Sequence, residues 1–327
     1  MNSRLFGWMI GCSIAVAFSG TALAQTHKLR LGHASSQESS QQVAVQKFVD
    51  LVKERSKGDI EIQIFANSTL GPDQQMINLA RGGSIDIVIS GSSNFNGMVP
   101  ATAALELPFL FRDSAHAYKV LDGKVGQGLL DELGKHGLKG LAYFENGWRE
   151  MTNNRKPLLT PEDAKGLKIR STPNPYHIQA FQLLGMNPSP LAIAELYSAL
   201  ETKAFDAQEH PLPVFWSSKF YEVQKFLTLT NHAYSPTIAV MNKAKFDGMP
   251  AEYQKIMIDS ARDAAAYQRD LNAKDTLRIV EALKKQGMQV VEQPDLAPFR
   301  KIVYGPVRQA YGDKNGLDLL KAIEDER

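Results

Sequence analysis

Cysteine is almost missing from this 327-residue chain: the single one, Cys12, stands in an apolar N-terminal stretch. A disulfide framework is excluded, and once that stretch is removed so are a thiol nucleophile and a thiolate metal site. The seven histidines, His27, His33, His116, His136, His177, His210 and His232, are scattered, with no H-E-x-x-H or other pair at ligand spacing, so no catalytic metal is expected. A G-x-S-x-G elbow is also lacking, because Gly91-Ser92-Ser93 runs on into Asn94-Phe95 where a second glycine is needed. Gly123-Lys124-Val125-Gly126-Gln127-Gly128 has its glycines in the wrong order for a dinucleotide loop and reads as a surface turn between helices. No cofactor is implied, and no residue is marked as catalytic. Neither charge is in surplus: 37 Lys and Arg face 35 Asp and Glu, a formal net charge of +2, which leaves nucleic acid without the basic surface it needs.

Long apolar runs are equally scarce, and the one present stands at the front. Residues 5–18 are largely apolar behind Arg4, and Ala22-Leu23-Ala24 has the small-x-small form of a cleavage signal before Gln25. Residues 1–24 read as a signal peptide removed on export. A retained anchor is the weaker alternative, because Gly7, Gly11, Cys12 and Ser13 interrupt a stretch shorter than the ~20 residues a span requires. About 300 residues remain, enough for two domains that each bury a core.

What those residues contain is alternation of strands and helices. Residues 28–32 read as extended, 40–56 as a helix with Ala44, Phe48, Leu51 and Val52 on one stripe, and 60–64 as a half-buried strand in which Ile60, Ile62 and Ile64 alternate with Glu61 and Gln63. A helix over 72–80 stops at Gly82-Gly83, and the continuous apolar run 85–89 suits the middle of a parallel sheet. Further strands are expected at 138–144, 168–170, 226–229 and 237–241. The pattern is that of an α/β protein built from right-handed βαβ units. From 250 to 286 no glycine or proline interrupts Ile256, Ala264, Tyr267, Leu271, Leu277 and Leu283 at helical spacings. Such a helix would be about 50 Å long against the ~30 Å of a small domain, so it is expected to run across both domains. Two helices broken near Asn272 are the alternative.

The densest signal lies between Asn146 and His210. Gly166-Leu-Lys-Ile-Arg170 puts an arginine at the carboxyl end of a short strand, where open α/β sheets hold their ligands, and a guanidinium there can grip a carboxylate with two parallel hydrogen bonds. A solvated surface charge is the bland alternative for any single arginine. Ile89-Ser90-Gly91-Ser92-Ser93-Asn94-Phe95 is a strand-to-loop segment whose hydroxyl and amide groups, Ser90, Ser92 and Asn94 among them, suit a polyhydroxylated or oxo acid. Trp148, Tyr176, Phe215 and Trp216 are either cleft aromatics or core and hinge residues.

The stretch resembles the substrate-binding proteins of tripartite ATP-independent periplasmic (TRAP) transporters. The residues that carry the resemblance are Gly166-Leu-Lys-Ile-Arg170, Leu184-Gly185-Met-Asn-Pro188-Ser-Pro190, Glu195-Leu-Tyr197-Ser-Ala-Leu200-Glu, Phe205-Asp206-Ala-Gln-Glu209-His210-Pro, Lys219-Phe-Tyr-Glu222-Val-Gln-Lys225-Phe and Thr230-Asn-His232, with a weaker match over nearly all of the chain from Leu29. It implies an α/β two-domain periplasmic binding protein of type II-like build, with crossing hinge strands and a long helix shared by both domains. The expected division is 25–146 plus 236–275 for domain I and 147–235 plus 276–327 for domain II. It also implies that Arg170 pairs with a substrate carboxylate, that Arg149 in Asn146-Gly-Trp-Arg149 is a second arginine near it, and that His33, Ser35 and Ser36 sit where the first βα loop meets the ligand.

His210 stands where the family pattern often has asparagine, and both a ligand contact and a structural histidine are open for it. Asn174 and Trp216 complete the candidate binding set. The function implied is a monomeric receptor, not an enzyme, that hands a small organic acid to the small and large membrane subunits of a TRAP permease. The acid can be a uronate or aldonate, a dicarboxylate or another carboxylate. A receptor for an ATP-driven importer or a sensor, and a secreted hydrolase or lyase, are the rival readings.

Overall fold

The computed structural model of the protein describes residues 27–326. The expected leader, with Cys12, lies outside the described residues. One sheet holds β1 (His27–His33), β2 (Ile60–Phe65), β3 (Ile87–Gly91), β4 (Leu138–Asn153), β5 (Lys168–Ser171), β6 (Asn187–Pro190), β7 (Ala207–Pro211), β8 (Phe226–Asn242) and β9 (Gln289–Val291). Across it the order is β2-β1-β3-β8-β4-β7-β5-β6, with β9 paired to β8. β1 is parallel to β2 and β3, and β5 is parallel to β6 and β7, as helix-linked strands require. The antiparallel pair β4 and β8 joins the two parallel groups through β3 and β7.

The expected segments at 226–229 and 237–241 belong to one 17-residue strand, and the strand expected to end at Phe144 continues to Asn153. Glu145, Asn146, Arg149 and Glu150 ended the apolar pattern, yet Glu145, Arg149 and Glu150 are all buried in the continuing strand. The register of β4 on β8 shifts between Glu145 and Gly147, where Gly147 takes φ +116°. Only glycine enters that region freely, so the bend in the crossing strand depends on it.

Strand alternation splits the apolar residues between two faces. Ile87, Ile89, Leu29 and Leu31 pack with Phe48 of the Ser40–Arg55 helix and with Met257, Ala261 and Ala264. Val88, facing the other way, joins a larger cluster that runs from Phe95 and Leu105 to Phe181, Val303 and Tyr311. A third cluster gathers Leu196, Phe215, Phe220 and Leu227 around Ile279, Val280 and Leu283. The Ala251–Lys285 helix therefore serves two cores, its first half on β1–β3 and its last turns on the far group.

No break occurs near Asn272. At the middle of the helix Gln268 Oε1 accepts from the Glu145 N–H at 3.0 Å, Asn272 Nδ2 donates to Glu145 Oε2 at 3.0 Å, and Arg269 pairs with Asp122. The helix thus meets the crossing strand through polar groups, and two residues of the expected apolar stripe turn to solvent, Tyr267 at 43% and Leu277 at 79% exposure. The segment expected as a surface turn at Gly123–Gly128 is the cap and first turns of the helix Lys124–Glu132. Gly126 is buried there, and a Cβ on it would stand 1.9 Å from the Leu121 carbonyl oxygen, so close approach of the chain explains the glycine.

Candidate functional site

A cleft of about 380 Å³ opens where β3, β5 and β7 end and β4 and β8 cross. Ser35, Gln41, Asp73, Ser90, Asn94 and Glu106 line one wall, Arg170, Thr172, Leu191 and His210 the other, and Arg149, Ser235 and Thr237 come from the crossing strands.

Arg170 is held as the sequence expected, near the end of β5. Its Nε and Nη2 donate to the carbonyl of Leu191 at 2.8 and 2.7 Å, just past β6. The Nη1/Nη2 edge, of a geometry that can receive a carboxylate in two parallel bonds, meets His210 Nε2 alone among the described residues, at 3.3 Å from Nη1. Burial, with Arg149 nearby, brings the guanidinium down to about 10, so it stays charged at neutral pH.

Arg149 also lines the cleft, but most of its donors are taken. Nε pairs with Glu209 Oε2, and Nη2 donates to Glu209 Oε1 and to the Glu209 carbonyl, each at 2.8 Å. Nη1 has Ser235 Oγ at 3.0 Å and Glu106 Oε2 at 3.7 Å. Burial opposes ionisation of Glu209, yet Arg149, with the His232 imidazole 3.4 Å from Oε2, holds its carboxyl well below the ordinary range. Opposite, Asp73 accepts from Ser90 Oγ at 2.6 Å, and Ser90 in turn accepts from Asn94 Nδ2 at 2.9 Å. Burial raises the Asp73 carboxyl, which the Ser90 hydrogen bond and Arg170 partly offset.

The structure brings Arg170, Arg149, His210, Ser90 and Asn94 together and sends five other expected residues elsewhere. Ser92 Oγ donates to Glu106 Oε1 at 2.5 Å beneath the turn Ser92–Phe95. His33 is buried against Gln42, Nε2 to Oε1 2.8 Å. Ser36 Oγ donates to the Ser217 carbonyl at 3.4 Å. Asn174 is fully buried, capping the Tyr176 N–H at 2.9 Å and donating to the Ala103 carbonyl at 3.3 Å. Trp216 stacks on Tyr221 with centroids 4.9 Å apart.

Four of these five are small polar or imidazole groups at element ends, where backbone or buried polar partners claim them before a ligand can. Sequence reasoning overlooked Asp73, which fell unmarked within the helix expected over 72–80, and Glu106, whose signal was a lone charge in the apolar run Ala103-Ala104-Leu105-Glu106-Leu107.

A cleft between two parallel-strand groups, bridged by crossing strands and furnished with a buried guanidinium edge, has the build of a solute receptor. The chain belongs to the family described as bacterial extracellular solute-binding protein, family 7, whose profile matches residues 31–313. It is 50% identical over 311 residues to the 2,3-diketo-L-gulonate-binding periplasmic protein YiaO of Escherichia coli (strain K12), covering 94% of each chain. Among solved structures it resembles a TRAP periplasmic solute binding protein from Polaromonas sp. JS666 bound to D-erythronate (TM-score 0.89, 37% identity, covering 92% of this chain and 99% of that one). It resembles equally the sugar acid binding protein DctPAm from Advenella mimigardefordensis in complex with galactonate (TM-score 0.89, 34% identity, covering 92% and 98%).

Proposed function

We propose that this protein is the periplasmic receptor of a TRAP permease for a polyhydroxylated monocarboxylic acid, and that it binds and delivers this acid without transforming it. The observation that carries the reading is the Nη1/Nη2 edge of Arg170, held by the Leu191 carbonyl and facing a cleft of about 380 Å³. Relatives named for diketogulonate and bound to erythronate and galactonate support the same class. The wall opposite argues for one carboxylate instead of two. Arg149 and Arg170 are the cations among the described lining residues, and Arg149 is neutralised by Glu209. A second carboxylate would lie against Asp73 and Glu106, a like-charge clash, whereas hydroxyls find acceptors and donors in Asp73, Ser90, Asn94, Thr172, Ser235 and Thr237.

Residues 1–24 act as the export signal in this reading. The chain works as a monomer whose halves, 25–146 plus 236–275 and 147–235 plus 276–327, close about the crossing strands. A thermal-shift screen of the leaderless protein against organic acids tests it. Saturation at 100 times the dissociation constant stabilises by ~2.7 kcal/mol, a shift of several degrees. Aldonates and related hydroxy acids should lead the panel, ahead of succinate, and be recovered unchanged after incubation. A panel led by dicarboxylates, or recovery of a different compound, overturns the reading.

A further inference from the structure

Donor and acceptor roles around His210 are settled by a buried chain that starts at the backbone. Gln224 Nε2 donates to the carbonyl of Val223 at 3.1 Å, which turns Gln224 Oε1 to accept from Thr152 Oγ1 at 2.9 Å. With its one hydrogen so placed, Thr152 Oγ1 can only accept from Gln208 Nε2, at 2.7 Å. Gln208 therefore presents its carbonyl oxygen to His210 Nδ1, at 2.5 Å, and that nitrogen must carry the proton. Gln224, Thr152, Gln208 and His210 are each at most 5% exposed, so water does not reset the order.

The consequence is a neutral imidazole whose Nε2 shows a lone pair to the cleft beside the guanidinium of Arg170. Its single partner, Arg170 Nη1, lies at 3.3 Å, long for such a bond and readily yielded to a shorter O–H donor. Because Nε2 stands 3.3 Å from Nη1, a carboxylate bound on the Nη1/Nη2 edge would lie beside it, and a substituent on the next carbon would be the first ligand group within its reach. Burial and the charges of Arg170 and Arg149 hold the imidazole well below its ordinary value, which keeps it an acceptor through neutral pH.

We propose that His210 selects acids carrying a hydroxyl on the carbon next to the carboxylate, by accepting that hydroxyl's hydrogen at Nε2. The inference rests on the receptor reading above and narrows its ligand class to 2-hydroxy acids, so a 2-oxo acid such as the diketogulonate for which the Escherichia coli relative is named is expected to bind this protein more weakly than a 2-hydroxy acid of the same length. An asparagine at this position, as the family pattern often has, can turn either its N–H or its carbonyl to the ligand and makes no such demand.

A cycle of ligand and side-chain deletions tests it by calorimetric titration. D-gluconate is compared with 2-deoxy-D-gluconate, and D-erythronate with 3,4-dihydroxybutanoate, on the wild type, on His210→Ala, and on His210→Asn should the alanine variant fold poorly. The wild type is expected to prefer the hydroxylated member of a pair by about tenfold or more, since its loss leaves the buried Nε2 with only the long 3.3 Å contact to Arg170 Nη1. The variants are expected to reduce that ratio to within about threefold. An equal ratio in wild type and variants, a wild-type ratio near one, or a best ligand with no hydroxyl beside its carboxylate overturns the inference and leaves the receptor reading standing. Binding of no carboxylic acid at all overturns both.

Discussion

At the scale of residues, the two arginines separate into different tasks. Arg170 leaves its two-pronged edge facing the cleft, and in the proposed receptor that edge takes the carboxylate, so Arg170→Lys, which retains the charge and loses the fork, should weaken every acid the wild type binds by about tenfold or more in titration calorimetry. Unchanged affinity would remove Arg170 from the site. Arg149 is the buried partner of Glu209, and removing one member of such a pair strands the other. Glu209→Gln should therefore cost about 3–5 kcal/mol in urea denaturation.

The pH dependence has a definite sign. Glu209 is held below its unfolded value, so its contribution is complete above the unfolded carboxylate value of about 4.3 and is lost as pH falls through the folded one. The stability of wild type should drop on that acid side more steeply than that of Glu209→Gln. Glu145 and Glu150, both raised first by burial, act in the opposite sense: their contributions are present at low pH and lost as pH rises through their folded values.

At the scale of elements, the crossing strand β4 packs Leu141, Ala142 and Phe144 against Met257, Ala261 and Ala264 of the Ala251–Lys285 helix, and beyond them Glu145 ties the two together by hydrogen bonds. Glu145 accepts from Tyr118 and Tyr234 hydroxyls at 2.9 Å each and from Asn272 at 3.0 Å, and its backbone N–H goes to Gln268. Two residues on, Gly147 takes the positive φ that shifts the register of β4. Gly147→Ala should cost about 1–3 kcal/mol by chemical denaturation, because a Cβ is strained at that φ whatever space surrounds it. A variant as stable as wild type would show that the bend does not need glycine. The sequence pattern announced this helix well, since 35 residues without interior glycine or proline leave few other outcomes. It announced the crossing strands poorly, since the charges of β4 are buried by partners far along the chain, Glu209 for Arg149 and Tyr118 and Tyr234 for Glu145, and local periodicity registers only that polar residues interrupt an apolar run.

At the scale of the whole molecule, the cleft lies between strand groups that share only β4 and β8, so ligand that touches both walls favours the closed form by its extra contacts. Small-angle scattering should record a smaller radius of gyration on adding a tightly bound acid to wild type, and a smaller change for Arg170→Lys at an acid concentration near the wild-type dissociation constant; an unchanged radius in saturated wild type would argue against closure. The sequence by itself determined the α/β class, the long helix and Arg170 at a strand end, because composition and short-range periodicity carry those features. Tertiary structure alone decided that Arg149 answers to Glu209, that Asp73 and Glu106 face the ligand space, that Ser92, His33 and Asn174 serve the backbone and the core, and which nitrogen of His210 meets the cleft. Those outcomes depend on which buried donor finds which acceptor, and that is settled only when segments distant in the chain are packed together.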